Sequence, residues 1–268
     1  MMIETEINLE KLTKYMCTKT NCEFIGAEQA SQEQENPEKV EMPFVEKQIR
    51  MQADPYADMM HKCKTTLASV EMCNDPLFWS IYLAMFGRKE YERVGHETKV
   101  GREEMKEKSK MSEHFYAKGA AHLSTLLQTR ITKKTCSEMS TNILTEPKLS
   151  FMSLNVVCAF YECNVYVVDL EKNVYMCYIL NDSEKYKTIV LYRTKRPPYY
   201  YIDTKEQVLS LDELPKKYMK ITSYDKPLLA ISHYKVADLV HFANQLHLDP
   251  EMKNKKELYD MIAIYCSS

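Results

Sequence analysis

The run LFWSIYLAMF, residues 77–86, is the tightest constraint on what this chain can fold into. It is apolar around nearly the whole of a helical projection, with no polar stripe to leave in water. Asp75 is an N-cap residue type, Pro76 suits the first helical position, and Gly87 suits the residue just past the end. The segment, which holds the only tryptophan (Trp79), is therefore expected to be a central helix packed on several sides.

Composition allows a domain to surround it. The chain has 268 residues, 45% hydrophobic and 28% charged, enough for a real core in one large or two small domains. Only 5 glycines argue against a phosphate-cradling nucleotide fold, which uses glycine for close backbone approach. A formal net charge of −2 gives no whole-protein field toward DNA or a membrane. The opening MMIETEINLE is acidic and lacks a signal peptide's apolar run, and no stretch reaches the ~18 apolar residues of a membrane span. The 9 cysteines are odd in number and scattered, as expected of reduced thiols in a cytosol-like compartment and not of a secreted protein.

Three regions follow from the pattern. Residues 1–60 read as an N-terminal arm, with a short helix between Ile7 and Phe24 and a polar, acidic linker from Glu28 to Met42 that buries too little to order itself. Residues 61–231 read as an α+β body. Arg88 to Lys118, with Glu103/Lys106 and Glu104/Lys108 at helical pairing distance, reads as a solvated surface helix broken near Gly95 and Gly101. His122 to Arg130 continues it, and a second core helix is expected at Ser150–Tyr161. The period then changes. NVYVVDL and NVYMCYIL form a hairpin about Glu171-Lys172-Asn173, and Lys187–Arg193 pairs with Tyr199–Asp203 about the Lys195-Arg196-Pro197-Pro198 turn. A last short strand is expected at Pro227–Ile231. The fold class is α+β: helices first, then a mainly antiparallel sheet.

Residues 232–268 read as a two-helix module. Ser232 is the expected cap of a helix with Val236, Leu239, Val240, Ala243 and Leu246 on one face, and Pro250 stops it. Asn254 and Glu257 make a capping-box start for a second helix, with Leu258, Tyr259, Ile262 and Cys266 facing inward. The stretch YKVADLVHFANQLHLDPEMKNKKELYDMI, with K-V-x-x-L and then K-K-x-x-L-Y-x-x-I, resembles the SAP and Rho-N families. That resemblance implies DNA or RNA contact through Lys253, Lys255 and Lys256. The glycine usual in SAP links is missing, and four lysines face five acids across the module, so its own field is about neutral.

DPLFWSIYLAMFG, LNVVCAFYECNVYVVD and KPLLAISHYKVADL with the later KKELY resemble proteins of large nucleocytoplasmic DNA viruses, a family with no activity to carry over. The body also resembles a degenerate OTU or papain-like cysteine peptidase. Cys73 lies beside the start of the central helix, a later helix and hairpin follow, and His233-Tyr234 arrives late. The OTU pattern D-x-x-C-[LF]-F, aligned on Leu77-Phe78, puts Pro76 at the nucleophile, which implies an inactive scaffold with Cys73 and His233 as the remaining catalytic candidates. His61-x-Cys63 and Cys17-x4-Cys22 lack a second pair at zinc spacing, so no metal or other cofactor is expected. RTKRPPYYY mixes cations with aromatics as single-strand binders do, making Lys195 and Arg196 candidates, against a plain soluble hairpin turn. The combined expectation is a non-enzymatic viral interaction protein, in the virion or host cytoplasm, that docks to viral or host proteins. A nucleic-acid-binding accessory factor is the alternative, and no membrane partner is expected.

Overall fold

The computed structural model describes residues 55–70, 74–94, 97–181 and 183–267. The expected helix at 7–24, the linker at 28–42, Cys17, Cys22, Cys73 and Gly95 lie outside the described residues. The architecture is mixed α+β, as expected. In chain order it comprises α1 (Pro55–Thr66), β1 (Ala68–Ser69), α2 (Pro76–Phe86), α3 (Arg88–Val94), α4 (Glu97–Leu127), α5 (Lys133–Thr145) and α6 (Leu154–Tyr161). There follow β2 (Cys163–Asp169), β3 (Val174–Tyr178), β4 (Lys187–Arg193), β5 (Tyr200–Asp203), α7 (Leu214–Lys217), β6 (Met219–Lys220), α8 (Val236–Gln245) and α9 (Lys255–Ser267).

The strands form one sheet in the order β1-β5-β4-β2-β3-β6. Three of its pairings are antiparallel, but the long central one, β2 with β4, is parallel from Cys163↔Lys187 to Asp169↔Arg193. The middles of both strands, Val165–Val168 and Ile189–Tyr192, are unbroken apolar runs because both sheet faces are covered there. Val165, Val167, Ile189 and Leu191 face the helical layer that includes α2 and α4 to α6. Val168, Val190 and Tyr192 face the other way, onto Met59 and Cys63 of α1 and Leu214 of α7.

The central helix is α2. Its Asp75 Oδ1 accepts from Phe78 N at 3.1 Å, Pro76 occupies the first turn, and Gly87 leaves the helix at φ +82°. All residues from Leu77 to Ala84 are buried. A lysine on α2's neighbour is buried too. Lys108 of α4 has only 2% of its side chain exposed, and its ammonium reaches Asp75 Oδ2 at 2.7 Å and Glu104 Oε1 at 2.8 Å. Glu104 Oε2 accepts from Trp79 Nε1 at 2.9 Å, and Asp75 Oδ2 also accepts from Leu149 N at 2.7 Å. One polar knot thus ties α2, α4 and the approach to α6 together.

This corrects the reading of α4 as a solvated surface helix. Glu104, Lys108, Met111 and Phe115 form an inward stripe, and its first members are charged only because Asp75 and Trp79 satisfy them. The helix runs through Gly101 and is broken instead at Gly119, whose φ of 76° is non-helical. Helix α5 was legible in principle, since Cys136, Met139 and Ile143 recur at its buried face. Pro227–Ile231 is not a strand; the sheet ends with the two-residue β6. The backbone groups of Leu229 are taken by two tyrosines, Tyr234 Oη accepting its N–H and Tyr259 Oη donating to its carbonyl, both at 2.9 Å.

Burial alone would push the Lys108 pKa down, but hydrogen bonds to Asp75 and Glu104 outweigh it and hold it raised. A raised folded value means that this contribution is complete below the unfolded lysine value of about 10.4 and is lost as pH climbs through the folded one. Lys108→Met leaves two carboxylates buried without a cation and is expected to cost about 3–5 kcal/mol at neutral pH in urea unfolding. The deficit should shrink on acidification, and a Lys108→Met/Glu104→Gln double variant should recover part of it. A deficit independent of both would show that packing, and not charge, is what Lys108 supplies.

Candidate functional site

Because β2 and β4 are parallel and in register, their last residues, Asp169 and Arg193, arrive side by side. Arg193 Nη1 lies 3.1 Å from Asp169 Oδ2, and its guanidinium stacks over Tyr224 at 4.7 Å and Phe151 at 5.7 Å. Tyr224 Oη donates to the same Asp169 oxygen at 2.8 Å, while Asp169 Oδ1 takes Glu171 N and Lys172 N, each at 3.1 Å. Both oxygens of this carboxylate are engaged twice over, so its position is fixed between the strand end, the turn and Tyr224. Burial pushes the Tyr224 phenol far up, with Asp169 adding to it. Burial alone would lower the Arg193 pKa, but Tyr224 and Asp169 keep it raised.

The anchor holds the C-terminal helix. Lys172, in the β2–β3 turn, donates to the carbonyl of Cys266 at 2.8 Å and sits over the Tyr224 ring at 5.1 Å. Ser267 Oγ donates to Tyr224 O at 3.0 Å. A cation at the carbonyl end of a helix also meets its negative pole. Leu239, Ala243, Leu246, Leu258, Ile262 and Cys266 are buried in the same apolar cluster as α2 and α6. At the other end of α9, Asn254 Oδ1 accepts from Lys256 N and Glu257 N at 3.0 Å, and Glu257 Oε2 accepts from Asn254 N at 2.9 Å, the expected capping box. The cap of α8 differs from expectation: Asp238 Oδ2 takes Lys235 N at 2.7 Å, and Ser232 lies in the short turn before it.

With α9 fixed, Tyr259 and Tyr234 hold segment 227–234 beside the outer edge of β3. Here a groove of about 430 Å3 opens, walled by Met176, Cys177 and Tyr178 on one side and by Pro227, Leu229 and Tyr234 on the other. Asn173 O and Tyr175 O accept from Met219 N at 3.0 Å and Ile221 N at 2.9 Å, so the odd residues of β3 direct their backbone groups away from β2. The β3–β6 ladder ends at Tyr175↔Lys220. Cys177, next in that series, therefore faces its N–H and carbonyl into the groove beyond the last rung. Leu229 on its wall is 50% exposed. At the opposite sheet edge a larger groove, about 740 Å3, runs beside β1 and the end of α2. There Arg88 Nη1 takes the carbonyl of Ser69 at 3.3 Å and Lys187 Nζ that of Ala84 at 2.5 Å.

The residues singled out from sequence are scattered. Lys253 donates to Asp249 O at 2.7 Å, Lys255 is half-buried and Lys256 is exposed at the start of α9. Lys195 pairs with Glu171 Oε2 at 2.9 Å and Arg196 is exposed, both in the β4–β5 turn. The two cationic groups thus stand on separate elements, the β4–β5 turn and the approach to α9. His233 stands exposed on the turn Ile231–His233, beside the groove and near the start of β2. Asp75 lies toward the other end of the sheet, since α2 runs antiparallel to β4 with Ala84 held at Lys187. Among the described residues no group of three or more His, Cys, Asp or Glu side chains could hold a metal, and no helix is long and apolar enough to cross a membrane. Sequence reading missed Cys177, Leu229 and Tyr234; the signal that pointed there, the apolar run before Ser232, was consistent with an ordinary strand.

Lys172→Met is expected to loosen the end of α9 by about 1–2 kcal/mol, the worth of a charged hydrogen bond. Hydrogen exchange should quicken over residues 255–267 while β2 and β4 keep their protection. Burial pushes the Cys266 thiol up to about 11 and Lys172 lowers it, so losing Lys172 raises it further. Faster labelling of Cys266 in this variant would therefore report opening of the helix end. Uniformly faster exchange would contradict a local latch.

Comparison of the chain with protein-family models, with curated proteins and with solved structures found no match.

Proposed function

We propose that this protein is a non-enzymatic docking protein that engages protein partners where its body meets its C-terminal helical pair. The observation that carries this reading is the groove at that junction, a half-paired strand edge with apolar walls, held in place by the Asp169–Arg193–Tyr224–Lys172 anchor. The likeness to proteins of large nucleocytoplasmic DNA viruses makes viral or host proteins the partners, and the particle or the cytoplasmic factory the place of action.

Nucleic-acid binding by the SAP/Rho-N-like pair has less support. Lys253 is already engaged with a carbonyl and Lys195 with Glu171, and the cations stand on separate elements. Phosphate neutralisation needs several convergent cations to be strong at physiological salt. Peptidase chemistry has the least support: in the OTU-like alignment Pro76 stands at the nucleophile, and Asp75 already fills the positive end of α2.

Cross-linking mass spectrometry on infected cells or purified particles should connect Lys220, Lys226 and Lys235, the lysines near the groove, to residues of another protein. A gel shift at low salt should be absent or weak and unchanged by Lys253→Glu/Lys255→Glu/Lys256→Glu. A strong salt-dependent shift abolished by that triple variant would replace docking with nucleic-acid binding. A thiol-reactive ubiquitin probe should leave Cys73 unlabelled; labelling that also requires His233 would restore the peptidase reading.

A further inference from the structure

The groove beside β3 has a shape and chemistry that select one kind of occupant. Its floor is a strand edge whose next outward-facing donor and acceptor both belong to Cys177, beyond the last rung with β6. In an antiparallel pair, one residue of an added strand would take both groups, exchanging two hydrogen bonds with Cys177. A strand residue fills about 160 Å3, given ~3.3 Å of rise, ~4.8 Å between strands and ~10 Å between layers. The volume of about 430 Å3 thus takes a segment of about two to three residues in extended form. Exposed Leu229 and half-buried Tyr234 offer apolar contact to the side chains of such a strand.

Charge narrows the choice further. Among the described residues lining the groove, Lys220 carries the one charge, and it is exposed. Exposed His233 and Lys235 stand just beyond Tyr234. A second copy of this chain pairing edge to edge by twofold symmetry would bring two copies of the same surface, and so two Lys220 ammoniums, into one junction. A segment carrying a carboxylate meets that cation favourably.

Resting on the docking reading, we propose that the β3 edge at Cys177 captures a short extended peptide of a partner protein by strand addition. The peptide places apolar side chains against Leu229 and Tyr234, and an aspartate or glutamate opposite Lys220. Its main-chain groups supply the affinity and its alternating side chains the selectivity. The open edge is then one that a partner closes, where otherwise it would invite aggregation.

The test uses the full chain with Cys17, Cys22 and Cys73 replaced by serine, probed with a phage-displayed library of short random linear peptides. Enriched peptides are expected to alternate apolar residues and to carry a carboxylate. In fluorescence anisotropy, Lys220→Glu should weaken them about tenfold, as should N-methylation of one central peptide amide, which removes a ladder donor. Bound peptide should slow alkylation of Cys177, the half-buried thiol at the edge. Leu229→Ser, at an exposed site, supplies a second variant that keeps the fold and should also weaken binding. Peptides that bind but ignore Lys220→Glu, N-methylation and Cys177 protection would overturn the strand-addition site while leaving docking in place. Sedimentation showing a dimer that Leu229→Ser dissolves would overturn it in favour of a second copy. If no peptide is enriched and no cross-linked partner is found either, both this site and the docking reading fail.

Discussion

The parallel pairing of β2 with β4 is the constraint on which the rest of this structure depends. Two strands whose middles are unbroken apolar runs cannot leave either face in water, so the chain must supply cover on both sides. The helical layer with α2 at its centre covers one face; α1 and the segment reaching α7 cover the other. A parallel pair also brings two strand ends together at one edge, which is why Asp169 and Arg193, 24 positions apart in sequence, share a hydrogen bond. The anchor for α9 is a consequence of strand direction.

Two buried or nearly buried carboxylates, Asp75 and Asp169, organise the polar part of the fold. Each accepts from backbone amides and from a long cation, and so compensates a charge that would otherwise be costly to bury. Asp75 joins the helices to one another, through Lys108 and the Leu149 amide. Asp169 joins the sheet to the C-terminal pair, through Arg193, Tyr224 and the turn that carries Lys172. Both carboxylates are held by partners on each of their two oxygens. The half-paired strand edge beside Cys177 is where the docking proposal places its partner.

Much of the fold was legible in the residues because local signals agreed there. The capped run at 75–87, the hairpin about Glu171-Lys172-Asn173 and the strand pair flanking Pro197-Pro198 all have periodicity and turn chemistry pointing the same way. The capping box at Asn254 and Glu257 is a purely local device and forms as read. Where the reading failed, the deciding partner was distant in sequence. Lys108 looked like a solvated helix residue because its pairing with Glu104 has the spacing of a surface ion pair; Asp75, 33 positions away, buries it. Pro227–Ile231 looked like a strand because its residues are apolar; tyrosines from two other segments take Leu229's backbone groups first.

The candidate site divides along the same line. Sequence by itself determined the α+β class, the central helix, the strand pairs and the two amphipathic C-terminal helices, since each is set by residue spacing and caps within one segment. It also supplied the cations, but as isolated letters: Lys195, Arg196, Lys253, Lys255 and Lys256 read as one basic set and fold into two places. Only the tertiary structure decided that β2 and β4 run parallel, that their ends hold α9, and that β6 stops after two residues. Those outcomes rest on contacts between segments far apart in the chain, and the open edge at Cys177 exists only as what they leave unpaired.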